Sequence, residues 1–110
     1  PRHDHVDVIH HLVPAAEWNV SDDPYAPPSL AIEGFIHFST RAQLTATAQR
    51  SYRDVADLLV VTVAVEALAA ELRWENLAGT AVFPHLYGPL NIGAVLRVSP
   101  YRADDFAANG

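Results

Sequence analysis

The sequence contains no cysteine and no methionine, and all seven of its positively charged side chains are arginines, so it contains no lysine. Without cysteine, the chain forms no disulfide, supplies no thiolate to zinc or an iron–sulfur cluster, and has no cysteine nucleophile. Without lysine, it has neither a Schiff-base lysine nor the lysine of a phosphate-binding loop. Any chemistry at a site must therefore use His, Ser, Thr, Tyr, Asp, Glu or Arg.

Positive charge is scarce, because the seven arginines face 13 acidic residues and the formal net charge is −6. Protein surfaces that follow a nucleic-acid backbone need a cation for each phosphate they neutralise, so we expect no extended nucleic-acid partner. The longest apolar run, Leu58 to Val65, is only eight residues long, whereas a membrane-spanning helix needs about 20. We expect a cytoplasmic protein with no membrane partner, whose ligand is a small molecule or a nucleotide.

The length and the order of the predicted elements favour one compact α+β domain over residues 1–110. A single hydrophobic core typically serves about 100 to 150 residues. We place the core at about residues 7–102 and expect a polar tail over residues 103–110. Strands that alternate with a few short helices and then follow one another predict a mixed or antiparallel sheet.

Hydrophobic patterns predict the strands. The run over residues 58–65 is β-branched and lacks polar alternation, which predicts a central strand with both faces covered. Pro84 predicts an edge or irregular strand, because proline cannot donate to a neighbouring strand. The other predicted strands cover residues 7–13, 35–39 and 93–98, with weaker candidates at 73–76 and 82–87.

Capping and turn residues predict the helices and one loop. Thr40 and Gln43 have the spacing of a capping box, which predicts a helix start, and Leu44, Ala48, Tyr52 and Val55 follow on one face. Shorter helices are predicted to begin at Pro14 and to cover residues 66–72. The proline-rich segment Ser21–Ser29 is predicted to be a loop and a candidate lid over a site.

Histidines in the predicted strands are the main candidates for a site, because a buried imidazole needs a partner or a cavity. His10 and His11 are adjacent, so the two-residue period of a strand sends them to opposite faces. The same period predicts that His37 and Ser39 share one face with Phe35. It also places His85 and Tyr87 on one face with Phe83.

Several polar groups in these strands predict one shared cleft. A lone buried histidine is most often bonded to a backbone carbonyl. Ser39, Thr40, Glu75 and Tyr87 accompany the strand histidines, and converging polar groups cost desolvation that favours a functional explanation. Trp18 and Trp74 are predicted to be core or cavity-wall residues.

A metal site would use His11, His37 and His85, with Glu75 as a further ligand, because imidazole and carboxylate both bind zinc or iron. No HxH or HExxH motif supports it. We therefore assign no metal ligands.

Three strings resemble the bacterial domain of unknown function 952 family over about Val8 to Tyr101. They are SLAIEGFIHFST at residues 29–40, RWE at 73–75 and FPHLYGPL at 83–90. The resemblance implies a fold like that of ADP-ribosyltransferases, with NAD as substrate. In that fold group a first-strand histidine contacts NAD, an aromatic or hydroxyl residue shapes the nicotinamide pocket, and a glutamate stabilises the cationic transition state.

The resemblance implies roles for particular residues of this chain. His11 corresponds to the first-strand histidine, and His10 stands where the family has an aromatic residue. The second position corresponds to the Ser39–Thr40 pair or to Tyr87. The acid corresponds to Glu75, with Glu33 as the alternative.

We therefore expect a cleft that binds NAD or a related nucleotide and acts in ADP-ribosyl or related transfer. The expected catalytic residues are Glu75, His11 and Tyr87. The expected binding residues are His10, His37, Ser39, Thr40 and His85. The alternatives are a non-catalytic module that binds a small metabolite and a metal-dependent hydrolase with histidine ligands.

Overall fold

The computed structural model describes residues 7–19, 21, 23–77, 79 and 81–106. Within them the chain forms six β-strands and two α-helices, joined by short 3₁₀ turns. In chain order these are β1 (Val8–Pro14), α1 (Pro28–Glu33), β2 (Ile36–His37), α2 (Arg41–Ser51), β3 (Leu58–Ala64), β4 (Glu71–Glu75), β5 (Phe83–Tyr87) and β6 (Val95–Pro100). The predicted α+β class with antiparallel sheets is confirmed.

The first sheet has the strand order β1-β3-β6 with antiparallel pairing throughout. The apolar strand β3 is central, as its pattern predicted, and Val60, Val61 and Val63 are buried. One face of β3 packs against the second sheet and the other against the helix over residues 41–51, so neither face needs polar side chains for contact with water.

The second sheet has the strand order β2-β5-β4, so Pro84 lies in a central strand. The expectation of an edge strand was wrong. Pairing between β2 and β5 is limited to Ile36 with Leu86 and His37 with His85. Beyond it, the carbonyl of Pro84 accepts a hydrogen bond from the Phe38 N–H. Proline is tolerated because this contact uses only its carbonyl group.

Two backbone hydrogen bonds join the sheets where β1 passes the segment after β2. The His10 N–H donates to the Ser39 carbonyl at 2.9 Å, and the Ser39 N–H donates to the His10 carbonyl at 2.7 Å. Apolar side chains from both sheets pack together beside this junction, including Ile9, Val61, Ile36 and Leu86. The junction therefore holds the polar residues of β1 and β2 in fixed relative positions.

Helix α2 begins as the capping box predicted. Thr40 Oγ1 accepts a hydrogen bond from the Gln43 N–H, and Gln43 Oε1 accepts one from the Thr40 N–H. Leu44 and Ala48 are buried against the first sheet, while Tyr52 and Val55 pack on the same cluster from just beyond the helix end. The apolar stripe thus fixes α2 beside β1.

The structure differs from the sequence prediction in three segments. Residues 66–72 are not a helix, because Val65–Ala67 form one 3₁₀ turn and Leu72 belongs to β4, where pairing with β5 outweighs the helix propensity of the Glu, Ala and Leu residues. Pro14 ends β1 and is followed by a 3₁₀ turn rather than an α-helix. The end of the expected loop forms α1.

The expected polar tail also contains a structured part. Residues Ala103–Phe106 form a 3₁₀ turn, and the Phe106 ring is buried against Tyr101 and His10. Burial of the Phe106 side chain contributes about 1.5 to 3 kcal/mol, and Arg41 and Thr45 of α2 donate hydrogen bonds to the Asp105 and Phe106 carbonyls. The remainder of that tail, residues 107–110, and residues 1–6 lie outside the described residues.

No helix in the described part of the chain has both the length and the apolar character that crossing a membrane requires.

Candidate functional site

A cavity of about 660 Å³ lies between α1, α2 and the second sheet. This volume is within the range of small-molecule sites, which is about 300 to 1,000 Å³. Its aromatic lining consists of Phe35, Phe38, Tyr52 and Phe83. Its polar lining consists of Ser29, Glu33, His37, Ser39, Thr47, Arg50, Ser51, Glu75 and His85. The cavity is therefore lined by both aromatic rings and hydrogen-bonding side chains.

One wall is built around the Glu75 carboxylate. Its Oε1 accepts a hydrogen bond from His85 Nδ1 at 2.9 Å and another from the Tyr87 hydroxyl at 2.7 Å. The side chain of His85 is 7% exposed and that of Glu75 is 22% exposed. The wall is therefore ordered by hydrogen bonds but is still reached by solvent.

The register of β4 and β5 produces this cluster. Arg73 pairs with His85 and Glu75 pairs with Phe83, so Glu75 is a diagonal neighbour of His85 on one face of the sheet. The guanidinium of Arg73 lies 4.2 Å from the centroid of the Tyr87 ring, a cation–π contact within the same pair of strands.

Hydrogen bonding sets the charge of the cluster. The bonds from His85 and then from Tyr87 hold the pKa of Glu75 below its usual value. Donation to Glu75 raises the pKa of the Tyr87 hydroxyl. At neutral pH the carboxylate is therefore ionised and the phenol is protonated.

A second carboxylate and histidine stand at the cavity rim. His37 Nε2 lies 3.1 Å from Glu33 Oε1, and both side chains are about half exposed. The chain turns between them at Gly34, whose φ of +93° favours glycine. This turn carries α1 directly into β2 and brings Glu33 and His37 together.

Phe35 contacts both cavity histidines, which also contact each other. Its ring stacks on His85 with centroids 4.1 Å apart and meets the edge of His37 at 4.9 Å. The contacts fix the planes of both imidazoles against one aromatic face.

Two hydroxyl residues singled out in the sequence have different positions. Ser39 lines the cavity, and its hydroxyl donates to Thr47 Oγ1 at 3.2 Å. Thr40 uses its hydroxyl to cap α2 and does not line the cavity. The capping role of Thr40 was visible in the sequence, and it competes with a role at the site.

His11 lies away from the cavity, with both ring nitrogens hydrogen-bonded. A carbonyl can only accept, so His11 Nδ1 donates to the His37 carbonyl at 2.7 Å. In the neutral ring Nε2 is then the acceptor, and the Tyr25 hydroxyl donates to it at 2.9 Å. Burial lowers the pKa of His11 to about 4 and raises the pKa of Tyr25. The pair is therefore neutral and enclosed.

His10 points to the opposite side of β1, as the two-residue period predicted. Its Nδ1 forms a hydrogen bond of 2.9 Å with Thr62 Oγ1, and the edge of its ring contacts Phe106. Burial, followed by the nearby Arg41, lowers the pKa of His10. His10 therefore lies on the α2 side of the first sheet, outside the cavity.

The predicted site residues thus fall into three groups. Four line the cavity, namely Glu75, His37, Ser39 and His85. Tyr87 supports the wall through Glu75, and its ring lies 5.3 Å from that of Phe35. His10, His11 and Thr40 are placed elsewhere, so the structure does not bring the whole set into one cleft.

Sequence reasoning missed Arg50 and Thr47 of α2. Arg50 lines the cavity, and its guanidinium lies 5.9 Å from the Phe83 ring centroid. Thr47, Arg50 and Ser51 follow at helical spacing, which places them on one face. That helical spacing was the signal available in the sequence.

Trp74 lies outside the cavity with 42% of its surface exposed, so the prediction of a core or wall position was wrong. Alternation along β4 sends Arg73 and Glu75 to the side of the sheet that carries His85. Trp74 therefore points to the other side. Trp18 is partly buried and packs on the core, as expected.

The histidine-ligated metal site is not assembled. No group of three or more His, Asp or Glu side chains within the described ranges could hold a metal ion. Both nitrogens of His11, one of the three histidines considered, are already bonded to protein groups.

Comparisons with known proteins give a family and one structural relative, which is represented by both a crystal structure and a solution NMR structure. The family model described as "Protein of unknown function (DUF952)" matches residues 12–98. A crystal structure of protein CC0527 from Caulobacter crescentus is 31% identical and has a TM-score of 0.76, with 90% of this chain and 97% of that chain covered. Its solution NMR structure is 30% identical, with a TM-score of 0.75 and coverage of 94% and 98%. A search of curated proteins finds no match. Because the family model covers most of its length, this chain belongs to the DUF952 family.

Proposed function

We propose that the cavity binds NAD or a related nucleotide, and that the protein is an ADP-ribosyl or related transferase with an ADP-ribosyltransferase-like fold. The single observation that carries the proposal is the state of Glu75. This carboxylate is ionised, is held by two donors on Oε1, and forms part of a cavity wall with aromatic faces.

The charge of Glu75 suits the chemistry of nicotinamide loss. When the bond between nicotinamide and ribose breaks, positive charge develops at the ribose C1′ and its ring oxygen. A carboxylate fixed in advance beside that carbon stabilises this charge. Glu75 Oε2 receives no hydrogen bond from a described residue and remains for this contact. The reaction requires neither cysteine nor lysine.

Other cavity residues match the parts of a dinucleotide. The faces of Phe35 and Phe83 suit planar rings, and Arg50 suits a phosphate group. The ribose contact that family resemblance implies for His11 passes to His37 in our proposal, because His11 is enclosed while the His37 ring lines the cavity.

A non-catalytic binding module is the second candidate, and the state of His11 favours it. A first-strand histidine whose two nitrogens are bonded to Tyr25 and to a backbone carbonyl has a structural role. In that case the same cavity would hold a small metabolite, with the histidines as fixed hydrogen-bonding groups.

The test combines binding with nicotinamide release. NAD and ADP-ribose are titrated by calorimetry, and release is followed by chromatography, for the wild type and for Glu75→Gln. We expect both proteins to bind NAD and the variant to release nicotinamide at least about 100-fold more slowly. Glu71→Gln is the matched control, because Glu71 is on the same strand but its carboxylate pairs with Arg73 outside the cavity.

Each result separates the candidates. No nucleotide binding at millimolar concentration contradicts the proposal. Binding without release in the wild type supports the non-catalytic module. Equal release by the wild type and Glu75→Gln removes Glu75 from the reaction.

A further inference from the structure

We infer that His85 is the base that deprotonates the acceptor hydroxyl in the proposed transfer, with Glu75 orienting its ring. The inference rests on the proposed function and adds a residue and a step to it. It follows from which atoms of His85 are engaged and which are open.

Glu75 fixes the tautomer of His85. The ionised carboxylate can only accept, so His85 Nδ1 donates across the 2.9 Å contact. In the neutral imidazole, Nε2 then carries the lone pair. A carboxylate that holds one ring nitrogen so that the other can take a proton is the arrangement that makes histidine an effective base.

The second ring nitrogen of His85 has no protein partner in the described part of the chain. No hydrogen bond to His85 Nε2 exists within the described residues. Among the described residues, Trp18 Nε1 is the one side-chain nitrogen or oxygen that is both completely covered and without a hydrogen-bond partner. His85 Nε2 is therefore not completely covered, and because His85 lines the cavity, our inference places Nε2 toward a bound ligand.

The ring is also held in one orientation. Phe35 stacks on it with centroids 4.1 Å apart and an interplanar angle of 22°. The His37 ring meets it edge-on at 5.5 Å. A flip of the imidazole would break the bond to Glu75, and the stacking restricts tilting. Tyr87 acts as a positioning residue, because its hydroxyl fixes the carboxylate oxygen that orients His85.

The proposed step couples proton transfer from the acceptor to His85 with cleavage of the bond between nicotinamide and ribose. The acceptor oxygen forms a bond to the ribose C1′, and its proton moves to His85 Nε2. The C1′–nitrogen bond breaks, and its electron pair stays on nicotinamide, which leaves as the neutral base. The imidazolium that forms lies beside the Glu75 carboxylate, which stabilises it until the proton passes to water.

The experiment uses NAD with water as the acceptor and measures nicotinamide release by the full chain. His85→Asn keeps a donor toward Glu75 but has no basic nitrogen, and His85→Gly leaves space for added imidazole. We expect both variants to react at least about 100-fold more slowly, with the NAD dissociation constant changed less than about threefold. Added imidazole should restore the rate of His85→Gly and should not accelerate the wild type.

The outcomes distinguish this inference from the function on which it rests. Release by His85→Asn within about threefold of the wild-type rate overturns the base role and leaves the transferase proposal standing. No release by the wild type overturns both. If the variants do not fold, ¹⁵N NMR of the wild-type rings decides. A protonated Nε2 and an unprotonated Nδ1 on neutral His85 would contradict the assignment, and the reverse tautomer supports it.

Discussion

His11 and His85 lie in strands of different sheets and show how one residue type serves two purposes. Each donates from Nδ1 to an oxygen, the His37 carbonyl for His11 and the Glu75 carboxylate for His85. They differ at Nε2. The Tyr25 hydroxyl donates to the Nε2 of His11, whereas the Nε2 of His85, a residue that lines the cavity, has no hydrogen-bond partner among the described residues.

A second hydrogen bond separates the structural histidine from the proposed functional one. A buried imidazole with both nitrogens satisfied stabilises the fold, because no polar group is left without a partner. An imidazole with one satisfied and one accessible nitrogen can accept a proton or bind a ligand.

The largest effect on the free energy of unfolding is expected for removal of the His11 ring. His11→Ala leaves a cavity beside Phe38 and leaves the Tyr25 hydroxyl and the His37 carbonyl without their partner. We expect the free energy of unfolding to fall by about 3 to 5 kcal/mol, measured by urea denaturation at pH 7. A loss below about 1 kcal/mol would contradict the structural role.

The pH dependence of stability provides the next test of His11. The ring has a pKa of about 4 when folded and 6.5 when unfolded, so between these values the unfolded chain binds more protons. The contribution of His11 to stability is complete above pH 6.5 and declines as pH falls, by about 3 kcal/mol at pH 4.

The measurement is an NMR titration of the His11 ring, combined with urea denaturation at several pH values. His11→Asn serves as the reference, because its amide does not titrate and its stability should decline less between pH 6.5 and pH 4. A His11 midpoint near 6.5 would show that the ring is not enclosed as described.

A smaller loss of stability is expected for Tyr25→Phe, which removes the hydroxyl that donates a hydrogen bond to His11 Nε2. The acceptor is then buried without a donor, which costs about 1 to 3 kcal/mol. Tyr101→Phe is the matched control, since the Tyr101 hydroxyl makes no hydrogen bond with a described residue. Equal midpoints of thermal unfolding for the two variants would contradict the claim that the Tyr25–His11 hydrogen bond stabilises the fold.

The smallest effect on stability is expected for Tyr87→Phe on the His85 side. Glu75 is partly exposed and keeps its bond from His85, so the midpoint of urea unfolding should change less than for the His11 and Tyr25 variants. The pKa of Glu75 should nevertheless rise toward its usual value, because one of its two donors is lost. Carboxyl ¹³C NMR checks this shift, and an unchanged pKa would refute the contribution of Tyr87.

Local sequence patterns predicted many of the helices and strands that carry these residues. The capping box at Thr40 set the start of α2, and alternation separated His10 from His11. Both features depend on neighbours a few residues apart. The helix expected over residues 66–72 was wrong because pairing of β4 with β5, a long-range contact, outweighed local propensity.

Local patterns could not predict which histidines lie in the core and which line the cavity. Tyr25, in a segment read as a loop and candidate lid, closes His11, while the register of β4 and β5 places Glu75 beside His85. The sequence supplied the right residue types for a site. Long-range contacts decided which of them share a cavity.

The most direct test of the account is an NMR titration of NAD into the wild-type protein while the imidazole nitrogens of both histidines are observed. The account predicts that the Nε2 signal of His85 shifts with saturation and that both nitrogens of His11 remain unchanged. A response from His11 with His85 unaffected, or no response from either ring at millimolar NAD, would contradict it.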